Sequence, residues 1–141
     1  MIVGVERQSS PQALFREAAR HIRAFTGYDR VMVYRFDEDG AGEVVAEAMK
    51  GGLTPFMGLR YPASDIPAQA RALYERNYLR TIVDVDAAPV AVSPALSPEG
   101  VPLDLTMSML RSVSPVHIEY LKNMAVRSSM SISILRGGRR S

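Results

Sequence analysis

Cysteine and tryptophan are absent from this chain, histidine occurs only twice, and no uninterrupted apolar stretch approaches the length of a bilayer-crossing helix. Each absence removes a class of function. Without cysteine there is no disulfide framework, no thiolate nucleophile, no thiolate metal site and no thioether attachment of any group, and two histidines alone make a poor zinc site. Residues Met1 to Arg7 lack the apolar run of a signal peptide, so the expected compartment is the cytoplasm and no membrane partner is expected. Nor does either sign of charge dominate. With 17 basic and 15 acidic residues the formal net charge is +2, and the only concentrated basic run is Arg136-Gly137-Gly138-Arg139-Arg140. No basic stripe is interleaved with aromatics, which argues against a nucleic-acid partner.

What is present is a chain of 141 residues, 47% hydrophobic, sufficient for one domain over 1–141 with a single core. Ser10 followed by Pro11 reads as an N-cap with proline at the first helical position. Leu14, Ala18, Ile22 and Phe25 then recur at helical spacing until Gly27. Arg30 to Phe36 is rich in valine and aromatics and alternates, with Met32, Tyr34 and Phe36 on one face and Val31 and Val33 on the other. Asp37 to Gly42 has hairpin chemistry, and Glu43 to Met49 can return as the antiparallel partner until Gly51-Gly52.

Ser64 or Asp65 can cap a second helix with Pro67 in its first turn, running through Gln69, Ala70, Leu73 and Tyr74 to about Asn77. Arg80 to Val85 is a short strand. From Asp86 to Thr106 the prolines at 89, 94, 98 and 102 prevent a continuous ladder, and a long loop of this kind is usually functional. Ser114 then caps a helix that has Pro115 at its first position, Ser129 to Ile134 alternates as a strand, and Gly137-Gly138 reads as a hairpin turn whose second strand is absent. The order helix, hairpin, helix, strand, loop, helix, strand is an α+β layout, a central antiparallel sheet with helices packed against it.

Two segments concentrate polar groups within proline-stiffened apolar turns: Tyr61-Pro62-Ala63-Ser64-Asp65-Ile66-Pro67, and Arg111-Ser112-Val113-Ser114-Pro115-Val116-His117-Ile118-Glu119-Tyr120-Leu121-Lys122-Asn123-Met124. Such a combination suits a pocket that holds a large ligand better than one that cuts bonds. Ser, His and Asp are all present, but no nucleophile elbow or base–orienter spacing joins them, so an enzyme is not expected. In order with the strand Ser128-Ser129-Met130-Ser131-Ile132-Ser133-Ile134, these strings resemble the chromophore-binding GAF domain of bacterial phytochromes over about residues 10–138.

That resemblance implies a six-stranded antiparallel GAF sheet and a linear tetrapyrrole, biliverdin in the bacterial branch, in a pocket on one face. It implies red/far-red light sensing, in which the bound bilin photoisomerises and the altered contacts bias a neighbouring element. Arg80 and Arg111 match the family's propionate-binding arginines, and a planar guanidinium fork suits a carboxylate. Ser129 and Ser131 can donate hydroxyls to the same groups. Asp65 and His117 match the positions that meet the pyrrole nitrogens. Tyr34, Tyr61 and Tyr74 match pocket-lining positions, Ile66 and Pro67 would lie against the ring system, and Ser114 belongs to the same binding set. Met32 and Met124 offer adaptable apolar contact, with ordinary core packing as the equal alternative.

The chain departs from the family pattern in four places. Val116 stands where plant and many cyanobacterial relatives have cysteine, and bacterial relatives use a cysteine ahead of a preceding PAS domain, so binding by this chain is expected to be non-covalent. The family continues beyond the Gly-Gly turn into a further strand and helix, which are expected to be missing here. Ala125 replaces a usual glycine, expected to tighten the helix end, and Tyr61 replaces a frequent phenylalanine. The implied partners are the PAS and PHY domains and histidine kinase output of relatives, with a homodimer also open. Two other functions remain: a GAF module for another small ligand, such as a cyclic nucleotide or haem, and a ligand-free dimerisation module.

Overall fold

A computed structural model describes residues 10–65, 68–108 and 111–135. Its contacts divide the chain into two compact units, Met1–Pro67 and Ala68–Ser141.

In the first unit, helix α1 spans Pro11–Thr26. Ser10 caps it as the sequence suggests, its hydroxyl accepting from the Ala13 backbone N–H at 3.2 Å. Gly27 ends the helix in the left-handed region (φ 75°), its N–H donating to the Arg23 carbonyl. The buried line of α1 is centred on Ala19, which is fully buried, and Phe25 departs from the expected apolar face with 79% of its surface exposed. At 100° per residue Phe25 falls on the flank of the line through Ala19, Ile22 and Thr26, so it misses the sheet.

Strands β1 (Arg30–Phe36) and β2 (Gly42–Met49) pair antiparallel. The turn between them closes on Asp37, whose N–H donates to the Ala41 carbonyl at 2.9 Å and whose carboxylate accepts from the Ala41 N–H, with Gly40 at φ 80°. The register pairs Met32 with Glu47, Tyr34 with Val44 and Phe36 with Gly42, while Val31 and Val33 oppose Ala48 and Ala46. Val45 is left without a partner at a bulge. Because paired residues share a face, the shift lets Val44 and Ala46, both buried, serve opposite sides of the hairpin. Helix α1 packs on both strands. Strand β3 is only two residues, Arg60–Tyr61, antiparallel to β2, and a single 3₁₀ turn follows over Ala63–Asp65.

In the second unit, α2 covers Ala68–Arg76, β4 Leu79–Ile82, α3 Pro115–Asn123 and β5 Ser129–Ile132. Strands β4 and β5 pair antiparallel, extended at the ends by Ser133 N–H to Tyr78 O and Val85 N–H to Arg127 O. Both strands are shorter than expected. Between Val83 and Ser114 the described residues hold only one isolated bridge, Leu96 with Pro102, closed around the turn Ser97–Gly100. Among the described residues Val85 and Leu121 are the buried apolar ones of this unit, and the Lys122–Asp86 ion pair at 2.6 Å ties the loop entry to α3.

The end of α3 explains one departure of the sequence. Val126 N–H donates to Leu121 O and Ala125 N–H to Lys122 O, the two hydrogen bonds of a Schellman motif. Ala125 occupies the left-handed position at φ 56°, where glycine carries no Cβ penalty. The helix end is therefore held under strain rather than tightened.

Among the described residues the ladders are a three-stranded sheet, β1-β2-β3, and a two-stranded one, β4-β5, in place of the single six-stranded sheet that the resemblance implies. The stretch after Gly51-Gly52 contributes loop rather than strand because side chains of β1 and β2 bind its backbone directly. The expected turn at Gly137-Gly138 lies outside the described residues.

Candidate functional site

Two groups of expected site residues are assembled, one in each unit. In the first, Tyr34 and Tyr61 come together with ring centroids 6.0 Å apart, and Phe36 meets Tyr34 edge-on at 5.2 Å. The register produces this cluster, since Gly42 is paired with Phe36 on one side and Tyr61 on the other. A Cβ at Gly42 would run into the Tyr34 ring. Met32, on the same face of β1, is partly exposed at 37%.

Asp65 closes the 3₁₀ turn, its N–H donating to the Pro62 carbonyl at 3.1 Å, and its carboxylate is exposed apart from a long contact with the Ser64 hydroxyl. Ile66 and Pro67 lie outside the described residues. A shallow hollow of about 400 Å³, lined by residues such as Arg16, Val45, Met49 and Met57, contains none of the expected binding residues.

The second unit holds the more chemically specific site. Arg80 pairs directly opposite Ser131, and Ile82 opposite Ser129, so strand alternation aims all four at one side. There they line a cavity with Tyr74, Arg111 and His117. The Arg80 guanidinium carbon lies 5.1 Å from the Tyr74 ring centre, a cation–π arrangement that braces the side chain. Arg111 reaches back to donate to the Thr106 carbonyl. His117, one turn into α3, stacks on Tyr120 at 6.4 Å with nearly parallel rings.

The electrostatics of this cavity are one-sided. Burial, and then the nearby charge of Arg80, lowers the affinity of His117 for its proton below the ordinary histidine value, and the same two causes in the same order lower Arg111. Among the described residues neither Arg80 nor Arg111 forms an ion pair with a carboxylate. Two guanidinium groups, two serine hydroxyls and a histidine biased towards neutrality are donors of the kind that suit an anionic oxygen group. The cavity volume of about 90 Å³ takes a carboxylate arm rather than a whole drug-sized ligand.

Ser114 is not among the residues that line this cavity; it is exposed at the start of α3, its carbonyl accepting from Ile118 N–H and its side chain making no capping bond. Met124 is half-buried beyond the end of α3. Asn77, Thr81 and Ser108 line the cavity without having been singled out by sequence. In the first unit Arg30 and Glu47, which form a close ion pair, were also missed. Their spacing within two strands resembled any exposed charge pattern. Among the described residues no group of histidine, aspartate and glutamate could hold a metal ion, and no helix is long and apolar enough to cross a membrane.

Comparison with known proteins adds an independent line. The GAF domain family matches residues 10–140. The chain is 53% identical over 140 residues to the Bacteriophytochrome of Pseudomonas aeruginosa, covering 99% of this chain and 19% of that protein. It is 56% identical over 119 residues to Cyanobacterial phytochrome B of Nostoc sp., with 84% and 16% covered, and 48% identical over 136 residues to the Bacteriophytochrome of Xanthomonas campestris pv. campestris, with 96% and 22% covered. The chain thus spans less than a quarter of the length of these curated relatives.

Proposed function

Since the chain belongs to the GAF domain family, we propose that it is the bilin-binding sensory part of a phytochrome-type red/far-red light receptor, acting as a single domain in the cytoplasm. The observation that carries this reading is the convergence of Arg80, Arg111, Ser129 and Ser131 on one cavity, with no carboxylate among the described residues paired to either arginine. Its donor set fits the propionates of a linear tetrapyrrole such as biliverdin, because each guanidinium offers paired donors and each hydroxyl one more.

When bound, biliverdin supplies the conjugated system whose double-bond isomerisation is the light-driven step. The chain's own residues do the rest. Arg80, braced against Tyr74, presents a fixed cation and thereby orients the carboxylate that meets it. Arg111 exchanges its contact with the Thr106 carbonyl for a charged partner. His117, depressed by burial and by Arg80, stays neutral near pH 7 and can donate one hydrogen bond and accept another. Within the first unit Tyr34 and Tyr61 offer aromatic surface suited to an apolar ring, and Asp65, Ile66, Pro67 and Ser114 are proposed as binding residues on the family resemblance alone. With no cysteine in the chain, none of its own residues can form a thioether and they hold the pigment by non-covalent contacts, and the signal passes to PAS, PHY and kinase partners of the kind the family implies.

The test is a spectrum of the purified chain mixed with biliverdin in the dark, before and after red illumination. A sharpened far-red band that changes reversibly supports the reading; a broad band like that of free pigment, with the chain folded by circular dichroism, overturns it. The same cavity favours a second reading, a GAF module for a phosphate-bearing ligand such as a cyclic nucleotide, since paired arginines and serines also suit a phosphate. Calorimetric titration with cyclic nucleotides separates the two.

A further inference from the structure

Glu47 is an acid whose side chain is only 5% exposed, in a strand where an apolar residue would pack more cheaply. Both of its oxygens are engaged. One accepts from Arg30 at 2.5 Å, and the other accepts from the backbone N–H groups of Phe56 and Met57 at 2.9 and 3.0 Å. Arg30 in turn donates to the Thr54 carbonyl at 2.7 Å and places its guanidinium 3.8 Å from the centre of the Phe56 ring. Residues 54–57 are therefore attached to side chains of β1 and β2 by three hydrogen bonds and one cation–π contact, with the ion pair joining the two side chains. The charges must act together, since a buried carboxylate that loses its cation carries a large desolvation cost.

Strand β3 begins just after this clamp. Gly58 N–H donates to Val44 O, Val44 N–H to Leu59 O, and Tyr61 then stands opposite Gly42, where it meets Tyr34. A two-residue strand cannot specify its own pairing, and a slip of one residue would turn Tyr61 to the opposite face. The register has to come from outside the strand, and the chain leading into it is held by side chains at 54–57 before Gly58 and Leu59 meet the Val44 backbone.

We infer that Glu47, with Arg30, is a positioning residue that sets the register of β3 and so the seat of Tyr61 beside Tyr34. Its importance for light sensing rests on the function proposed above; the register itself does not. The test uses the full chain without pigment, reading cross-strand nuclear Overhauser contacts. Glu47→Gln keeps the size and removes the charge, and should lose the Gly42–Tyr61 contact while retaining Phe36–Gly42. Retention of Gly42–Tyr61 overturns the inference. Should Glu47→Gln also lose the β1–β2 contacts, Arg30→Lys decides: selective loss of Gly42–Tyr61 supports the inference, whereas its retention, or loss of the hairpin in both variants, overturns it by making the pair a general fold element. With biliverdin added, Glu47→Gln should lower the far-red band relative to the near-ultraviolet band. A parent chain that binds no pigment would fail the functional reading and leave the register result standing.

Discussion

The two units solve the problem of holding a site in different ways. In the first, the strands that carry the aromatic cluster are neighbours in sequence, joined by a short turn, covered by α1 and pinned by the buried Arg30–Glu47 pair. In the second, β4 must find β5 across a long proline-bearing loop and α3, and only Val85 and Leu121 are buried apolar residues there among the described residues. Local contacts involve little loop-closure entropy, while distant ones must recover it through packing. The first unit accordingly sets three aromatic rings side by side, and the second accumulates like charge that an anionic ligand would relieve.

The largest test of that contrast acts on the charges. Replacing Arg80 and Arg111 together with glutamine should leave the chain folded yet weaken biliverdin binding by more than tenfold, since a hydrogen bond to a charged group contributes about 1.5–3 kcal/mol. Unchanged affinity in an absorption titration would remove both residues from the site. A slightly smaller effect is expected in the first unit, where Gly42→Val drives a side chain into the Tyr34 ring. Overpacking of this kind costs about 1–3 kcal/mol, and a urea midpoint matching the parent's would show that the tyrosine has room to move.

Ala125→Gly should act in the opposite direction. Relief of the left-handed strain, less the greater freedom of glycine in the unfolded chain, leaves a gain of roughly 0.5–1 kcal/mol and a melting temperature higher by a few degrees. A lower melting temperature would refute the strain argument. The smallest effect is that of pH on the second unit. His117 binds its proton less readily in the folded state, so on acidification through the range below the ordinary histidine value the unfolded chain takes up a proton first and stability falls. His117→Gln should flatten that part of the profile. Arg80→Gln should raise the proton affinity of His117 only in part, because burial is the larger cause; proton NMR titration of the imidazole that found no change would exclude the coupling.

Much of the fold was legible in the sequence because the signals are local. Ser10-Pro11, the alternation of Arg30 to Phe36, the Asp37–Gly42 turn and the Ser114-Pro115 start all act within a few residues, and each element appears where those signals place it. The roles proposed for Arg80 and Arg111 come from motif resemblance, since an isolated arginine carries no information about what it faces. Phe25 was misjudged because a helical repeat does not say where the buried line is centred. Glu47 was passed over because one buried acid looks like any other acid in a sequence.

The sequence by itself determined the first helix, the β1–β2 hairpin, the start of α3 and the absence of a thiol among these 141 residues, all of which rest on local backbone preference and side-chain chemistry. Only the tertiary structure decided that Arg80 faces Ser131 across a ladder, that Val45 bulges so Val44 and Ala46 serve opposite faces, and that Arg30 and Glu47 clamp the chain entering β3. The physical reason is that register and charge pairing depend on which distant groups meet, and that choice is made by the free energy of the folded chain as a whole.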